Sequence, residues 1–189
     1  PEVMFTILSV AVVVFLIASL FYTAQFAIRL GLLFLVRCFY RVKVEGVEKV
    51  PSEGGALLVC NHVSLVDGML VAAALPREPR FLMYTPFFDV PVLGWFAKRM
   101  GVIPVSSGDT PEEKRNSLKA ASDAAAGGDL VCIFAEGAIT RSGAMQGFAR
   151  GLERIAGDAR VPIVPVALDR LWGSLFSFER GKVLFKRPQ

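Results

Sequence analysis

The sequence predicts an α/β domain with a mixed, mostly parallel central sheet flanked by helices, preceded by an apolar helical segment. Short β-branched runs alternate with helix signals from about residue 41 onward. Several of these runs are uniformly apolar, as expected for strands covered on both faces. We therefore expect a membrane-anchoring segment over residues 1–40 and one α/β domain over residues 41–189, together a fragment of a longer chain.

The first segment is predicted to be helical because residues 3–28 carry no charge. As a helix it would be about 39 Å long, more than the hydrocarbon core of about 30 Å requires. Arg29, Arg37, Arg41 and Lys43 follow and favour a cytoplasmic location for the remainder. Because residues 30–36 are apolar again, a helical hairpin or an interfacial helix competes with a single span.

The α/β domain is predicted to contain seven strands and four helices. The strands cover residues 41–44, 56–60, 80–84, 102–105, 130–134, 163–168 and 182–185. The helices cover residues 66–74, 90–100, 110–125 and 146–156. The clearest helix start is Thr110-Pro111-Glu112-Glu113, which supplies a capping hydroxyl, a proline at the first helical position and a glutamate at the third.

Charge and cysteine content restrict the partners. A formal net charge of +4 favours an acidic partner, such as an anionic bilayer surface or an acidic carrier protein. Nucleic acid is disfavoured, because lysine and arginine form no aromatic-interleaved basic stripe. Cys38, Cys60 and Cys132 are odd in number and lie in apolar runs, which indicates buried free thiols in a reducing compartment. The sequence implies no metal site and no redox cofactor.

The only histidine, His62, follows the predicted strand 56–60 and precedes a predicted helix. That position lies at a strand carboxyl end, where open α/β sheets tend to place their sites. His62 and Asp67 can meet only if the backbone between them turns into the helix, and Asn61 and Ser64 suit the capping of such a turn. The pair could act as a base with its orienting carboxylate. Alternatively, His62 is structural and Asp67 is a first-turn carboxylate favoured by the helix dipole.

A second stretch, residues 131–143, has the same arrangement. An apolar strand ends near Glu136, a glycine-flanked turn follows, and Arg141 is able to grip a phosphate with two hydrogen bonds. Alternatively, Glu136 and Arg141 simply pair with each other in a solvated turn.

Four sequence elements together resemble the glycerolipid acyltransferase family, also called the lysophosphatidic acid acyltransferase family. Its Asn-His motif with a following serine and aspartate is matched by Asn61, His62, Ser64 and Asp67. Its Phe-Pro-Glu-Gly motif is matched in part, with Ala135 replacing the proline. A Phe-x-x-Gly element and a Val-Pro-Ile-Val-Pro-Val block follow at Phe148–Gly151 and Val161–Val166. The resemblance implies a glycerol-3-phosphate acyltransferase-like fold over roughly residues 40 to 189.

The resemblance implies a general-base mechanism. His62 would take the proton from the free hydroxyl of a lysophospholipid as that oxygen attacks an acyl thioester of acyl carrier protein or coenzyme A, with Asp67 orienting the imidazole. Donors of the 61–64 turn would stabilise the oxyanion. The nucleophile belongs to the substrate, so Ser64 and Cys60 would be supporting residues. The expected substrate-binding residues are Asn61, Ser64, Glu136, Gly137, Thr140, Arg141 and Arg150.

Two departures from the family pattern concern the acceptor. Ile139 stands at the first arginine of the second motif, and Ser106-Ser107 follows Gly101–Val105 where the family commonly has another arginine. A phosphate monoester carries up to two charges and a phosphodiester carries one, so fewer cations favour lysophosphatidylethanolamine. The alternative acceptor is 1-acylglycerol-3-phosphate.

The sequence from Ala135 to Arg141, with Leu171-Trp172-Gly173-Ser174 downstream, is similar to one bacterial group in particular. This is the acyltransferase module of acyl-carrier-protein synthetase and 2-acylglycerophosphoethanolamine acyltransferase proteins, which can be fused to a lysophospholipid transporter and an acyl-activating domain. It implies a location at the bacterial inner membrane, with the α/β domain on the cytoplasmic side. Two further alternatives are a non-catalytic lipid-binding module of a transporter fusion and a lipid hydrolase.

Overall fold

The computed structural model of the protein describes residues 2–105, 108, 110–174 and 176–179. These residues belong to two compact units, Pro1–Val42 and Lys43–Gln189.

The first unit is one uninterrupted helix, α1, Glu2–Phe39. The predicted hairpin is wrong, because α1 runs through residues 30–36 without a turn. Gly31 is the one glycine in that stretch, and a single glycine costs a helix only about 1 kcal/mol. Large apolar side chains from Val3 to Ile17 are exposed. In the described part of the chain, no helix has the length and apolarity needed to cross a membrane, so the predicted span is not supported.

The second unit is built on a five-stranded sheet whose described pairs are all parallel. The strands are β1 Ala56–Cys60, β2 Pro79–Tyr84, β3 Ile103–Val105, β4 Leu130–Phe134 and β5 Ile163–Val166, in the order β3-β2-β4-β1-β5. The helices are α2 Asp67–Ala74, α3 Pro91–Arg99, α4 Pro111–Ala126 and α5 Gly151–Ala159. Two short 3-10 helices cover Val47–Lys49 and Thr85–Asp89. The predicted α/β fold with a mostly parallel sheet is confirmed.

Helices cover both faces of this sheet, which explains the uniformly apolar strands. Alternate residues of β1 enter different cores. Leu58 packs in a cluster that includes Val71 of α2 and Ala97 of α3. Leu57 packs on the opposite face in a cluster that includes Ala121 of α4 and Ile155 of α5.

Helix α4 begins as its sequence predicts. The Thr110 hydroxyl accepts the Glu113 N–H at 3.2 Å, and Glu113 Oε2 accepts the Thr110 N–H at 2.7 Å. These reciprocal bonds satisfy donors that the first helical turn leaves open. The two hydrogen bonds that the Glu113 carboxylate accepts, from the N–H and from the hydroxyl of Thr110, lower its pKa below the ordinary value.

The predicted strand at residues 41–44 is wrong. No described strand pairs with that segment, and Val42 and Val44 are exposed. The predicted strand at residues 182–185 lies outside the described residues.

The end of β5 and the start of α5 differ from prediction because hydrogen bonds between distant parts of the chain engage the backbone there. Strand β5 ends at Val166, two residues early, since the Asn61 side chain bonds both the N–H and the carbonyl of Leu168. Helix α5 begins at Gly151, five residues late. The N–H of Gln146 donates to Glu136, and the N–H of Ala149 donates to Ala135 O, which holds residues 141–150 as a loop.

Candidate active site

The site lies where β1 and β4 end side by side. Cys60 is paired in register with Phe134, so the loops that follow both strands leave the sheet at the same edge. Two backbone bonds join these loops. The Ala135 N–H donates to Cys60 O at 2.9 Å, and the Thr140 N–H donates to His62 O at 2.9 Å. Parallel pairing therefore brings the two predicted stretches together.

His62 and Asp67 are in contact, as the sequence predicts. His62 Nδ1 lies 2.8 Å from Asp67 Oδ2. Asp67 is the first residue of α2 and is fully buried. Its Oδ2 also accepts the N–H groups of Val63 at 2.6 Å and Ser64 at 2.9 Å, and its Oδ1 accepts the Ser64 hydroxyl. The backbone between His62 and Asp67 folds into a turn that bonds this carboxylate. The turn brings the two side chains, five positions apart, into contact.

The cap of α2 differs from expectation. The N-cap is Val66, and no side chain of the cap residue bonds the helix. Asn61 and Ser64 were expected to cap this turn, but Asp67 performs that task from the first helical position by accepting the two N–H groups that precede it.

The bond to Asp67 determines the chemistry of the imidazole. A carboxylate only accepts hydrogen bonds, so Nδ1 carries the proton and Nε2 has its lone pair available. The ring of Phe134 stacks on the imidazole with centroids 4.0 Å apart and an interplanar angle of 14°. The His62 side chain is 19% exposed, so a substrate has access to it. The arrangement is that of an oriented general base.

Glu136 joins the two loops. Its Oε1 accepts the His62 N–H at 2.8 Å, and its Oε2 accepts the Gln146 N–H at 2.8 Å. The residue is 9% exposed, and both oxygens are used by the backbone. Within the described residues, no ion pair links Glu136 to Arg141. Sequence reasoning missed this bridging role, because it depends on a loop whose course no local pattern reveals; a substrate contact by Glu136 stays a prediction.

Three of the backbone donors in the turn at residues 61–64 are bonded to carboxylates. The N–H of His62 donates to Glu136, and those of Val63 and Ser64 donate to Asp67. These three N–H groups are therefore already bonded within the protein, and stabilisation of an oxyanion by other donors of the 61–64 turn stays a prediction. The carboxylates of Glu136 and Asp67 accept the hydrogen bonds that these N–H groups donate.

Three of the predicted substrate-binding side chains are occupied within the protein. The Asn61 amide bonds Leu168 through Nδ2 at 3.0 Å and Oδ1 at 2.7 Å. The Thr140 hydroxyl is buried and donates to Ala144 O at 2.8 Å, which closes a turn. The Ser64 hydroxyl is held by Asp67. These bonds shape the site, and substrate contact by these side chains stays a prediction.

The other predicted substrate-binding residues lie on exposed backbone. Gly137 has φ 71°, a conformation that favours glycine. Arg141 is exposed, and its guanidinium carbon lies 3.7 Å from the ring centre of Phe178, a cation–π contact that sequence reasoning missed. Arg150 is exposed at the start of α5. Both guanidinium groups are accessible to an anionic ligand.

The thiol of Cys60 is not a nucleophile here. Burial, as the main cause, and the charge of Asp67 together raise its pKa to about 12. Burial also raises the pKa of Cys132. Both thiols stay protonated near neutral pH. The predicted burial of free thiols is confirmed for these two cysteines and wrong for Cys38, which is exposed.

The segment at residues 171–178 supports the site. Ser64 forms an antiparallel bridge with Ser177, and the Leu65 N–H donates to Phe176 O at 3.1 Å. Gly143 has φ 82°, and a Cβ there would lie 2.8 Å from the ring of Trp172. The glycine thus allows the indole to pack on the turn. The pairing of Ser64 with Ser177 has no local sequence signal.

Comparison with known proteins agrees with this geometry. Residues 41–169 match the family described as Acyltransferase. A chloroplastic 1-acyl-sn-glycerol-3-phosphate acyltransferase of Arabidopsis thaliana is 31% identical over 131 residues, which are 69% of this chain and 36% of that protein. Its counterpart from Brassica napus is 32% identical over 131 residues, 69% of this chain and 38% of that protein. The chain thus spans little more than a third of these relatives.

A solved structure shares the fold. The 1-acyl-sn-glycerophosphate acyltransferase PlsC from Thermotoga maritima superposes with a TM-score of 0.60 and 21% identity, covering 80% of this chain and 63% of that one. With the family match over residues 41–169, the conclusion is that this chain belongs to the acyltransferase family.

Proposed function

We propose that the protein transfers a fatty acyl group from an acyl thioester, of acyl carrier protein or coenzyme A, to the free hydroxyl of a lysophospholipid. The observation that carries this proposal is the 2.8 Å contact between His62 Nδ1 and Asp67 Oδ2, which makes Nε2 a proton acceptor. As the substrate hydroxyl attacks the thioester carbonyl, Nε2 takes its proton. The tetrahedral intermediate then expels the thiolate, which receives the proton from the imidazolium held by Asp67.

Two observations support direct transfer without an acyl-enzyme. The Cys60 thiol stays protonated because its pKa is raised to about 12, and the Ser64 hydroxyl is buried and donates to Asp67. The Ser64 hydroxyl is bonded to Asp67 and not to the imidazole of His62, the base that would activate it as a nucleophile. The nucleophile therefore comes with the acceptor lipid.

The first candidate acceptor is a 1-acylglycerol-3-phosphate, because the relatives from Arabidopsis thaliana and Brassica napus carry that substrate in their names. Lysophosphatidylethanolamine is the second candidate. A specific feature favours it: Ile139 stands where the family has an arginine, so fewer cations face the phosphate. Because a lysophospholipid resides in a bilayer, we place the reaction at the cytoplasmic face of the bacterial inner membrane. Fractionation of cells would test whether the protein is found with that membrane.

The experiment uses labelled acyl thioesters of both carriers, presented in turn with each lysolipid. Transfer to either lysolipid that depends on His62 supports the proposal. A higher kcat/KM with the monoester assigns the first acceptor, and a higher value with the ethanolamine lipid assigns the second. Release of free fatty acid alone identifies a hydrolase. No turnover of any pair by the wild-type protein favours a non-catalytic lipid-binding module of a transporter fusion.

A further inference from the structure

The loop at residues 141–150 exposes two large apolar side chains. Every residue in the loop is exposed, and Met145 and Phe148 are 65% and 58% exposed. Isolated exposed apolar residues are ordinary on protein surfaces. These two lie three positions apart on one loop, and neither belongs to the two hydrophobic clusters of the described residues. Their exposure is therefore not explained by packing of the core.

This loop is fastened to the catalytic residues. The Gln146 N–H donates to Glu136 Oε2 at 2.8 Å, and the other oxygen of Glu136 holds the His62 N–H. The Ala149 N–H donates to Ala135 O at 2.7 Å. Met145 and Phe148 therefore belong to a segment that is connected to His62 through a single carboxylate. A surface bound by this loop is held next to the site of the chemistry.

The charge of the loop is positive. Arg141 and Arg150 bound it, and the sequence has no carboxylate between Glu136 and Glu153. Apolar side chains flanked by arginines are typical of segments that enter the headgroup region of anionic membranes. An acidic carrier protein is the other conceivable partner. Two arginines nine positions apart, with apolar side chains between them, fit a lipid surface better than a site built on several ion pairs.

We propose that residues 141–150 form a membrane-contacting loop, in which Met145 and Phe148 enter the interfacial region of a bilayer containing anionic phospholipid and the two arginines contact headgroup phosphates. The inference rests on the proposed function, since it explains how a lipid acceptor passes from the bilayer to His62. It names a surface and a partner that the catalytic geometry alone does not require.

A local probe tests the contact in the full chain. Ala144→Cys, in a Cys38→Ser background that leaves only the buried Cys60 and Cys132, is labelled with bimane. With vesicles of phosphatidylethanolamine and phosphatidylglycerol, we expect a blue shift and protection from aqueous iodide. Both effects should be lost in Met145→Ser/Phe148→Ser. A label at Asn116→Cys on the exposed face of α4 should stay accessible to iodide.

Kinetics with two forms of acceptor supply the second readout. Met145→Ser/Phe148→Ser should lower turnover of a vesicle-embedded lysolipid about tenfold or more, through a higher KM for surface acceptor. Turnover of a short-chain lysolipid, dissolved as monomers, should stay at the wild-type rate. The matched control is Phe87→Ser/Trp95→Ser, which removes two apolar side chains of comparable exposure elsewhere, 41% and 58%. That control should not change either rate.

Three results would overturn the inference. The bimane label could stay exposed to iodide in the presence of vesicles, or Met145→Ser/Phe148→Ser could lose turnover equally with both acceptors. The third is a higher KM of this variant for acyl carrier protein without a change in its KM for the vesicle-embedded acceptor. The last outcome would identify a protein-docking loop. Failure of the proposed function looks different, because the wild-type protein would then acylate neither acceptor while the label still reported vesicle contact.

Discussion

The Oε1 of Glu136 accepts the backbone N–H of His62 at 2.8 Å, although the two residues are 74 positions apart in the chain. Because Oε2 accepts the N–H of Gln146, this carboxylate determines how the loop after β4 lies against the catalytic turn. In Glu136→Gln one side-chain atom becomes a donor, so one of the two N–H groups loses its acceptor. We expect a loss of about 1–3 kcal/mol in the free energy of unfolding and a lower kcat.

Denaturant unfolding and steady-state kinetics on the same preparation check this prediction. Glu153→Gln, an exposed glutamate on α5, is the matched control and should leave both quantities unchanged. A rise in the KM for acceptor alone, with stability and kcat retained, would instead assign Glu136 to substrate binding.

Removal of the proposed base, His62, should have the largest effect on rate. His62→Ala should lower acyl transfer at least ~10²-fold, the lower end for loss of a positioned general base. The fold should survive, since the His62 side chain is partly exposed and β1 does not depend on it. Turnover with labelled thioester measures the effect, and the unfolding midpoint verifies the fold. Transfer near the wild-type rate in a folded variant would exclude His62 as the base.

Asp67 should contribute both to the proposed proton transfer and to stability. Asp67→Asn keeps the size of the side chain, but one of its two polar atoms becomes a donor. Either the partners of Oδ2 or the Ser64 hydroxyl bonded to Oδ1 then lose their acceptor. We expect a loss of about 1–3 kcal/mol in the free energy of unfolding, the scale of a buried donor left unsatisfied. The rate should fall as well, because the tautomer of His62 is no longer imposed.

The control for this substitution is Asp123→Asn, at a carboxylate that pairs with Lys119 on the exposed surface of α4. Such surface pairs contribute about 0–1 kcal/mol. Rates should be compared without denaturant, at a temperature at which both variants are folded. If Asp67→Asn unfolds easily yet retains wild-type turnover, the carboxylate serves the turn alone.

Cys60 gives the protein a pH dependence with a defined sign. Its pKa is about 12 in the fold and 9.0 ordinarily, so ionisation favours the unfolded state. The contribution is fully present below pH 9.0 and is lost as the pH rises toward 12. Cys132 acts in the same direction. We expect the free energy of unfolding to decrease between about pH 8 and about pH 10.5.

Urea unfolding at both pH values measures this decrease, and Cys60→Ala should make it smaller. At neutral pH, iodoacetamide should label Cys38 and leave Cys60 unmodified, without loss of acyl transfer. Inactivation that follows alkylation of Cys60 in the native protein would contradict the protonated, buried state of this thiol.

Local patterns predicted the parts of the molecule that depend on neighbours in the sequence. The capping box of Thr110 and Glu113, the strand Ala56–Cys60 and the contact of His62 with Asp67 all arise within a few residues. The parallel sheet followed from the alternation of strands and helices, because parallel strands need crossover helices.

Longer-range pairings could not be predicted in the same way. Val42 and Val44 have side chains typical of strands, but no strand among the described residues pairs with their backbone. The Asn61 amide was read as a turn cap, whereas it binds Leu168, which is 107 positions away. The residues at 146–150 fit a helix by composition, and the bond from Gln146 to Glu136 overrides that preference.

The separation of these partners has a consequence for folding. The base and its carboxylate are local, but the bonds from Glu136 to His62 and from Leu168 to Asn61 close long segments of chain. Closing such loops costs entropy that only the completed sheet repays. A chain that has been synthesised only through α2 contains both His62 and Asp67. It still lacks Glu136 and Leu168, whose hydrogen bonds hold the turn in place. Acyl transfer competence should therefore appear only after β4 and β5 have docked beside β1, so recovery of activity during refolding would report the last step of sheet assembly.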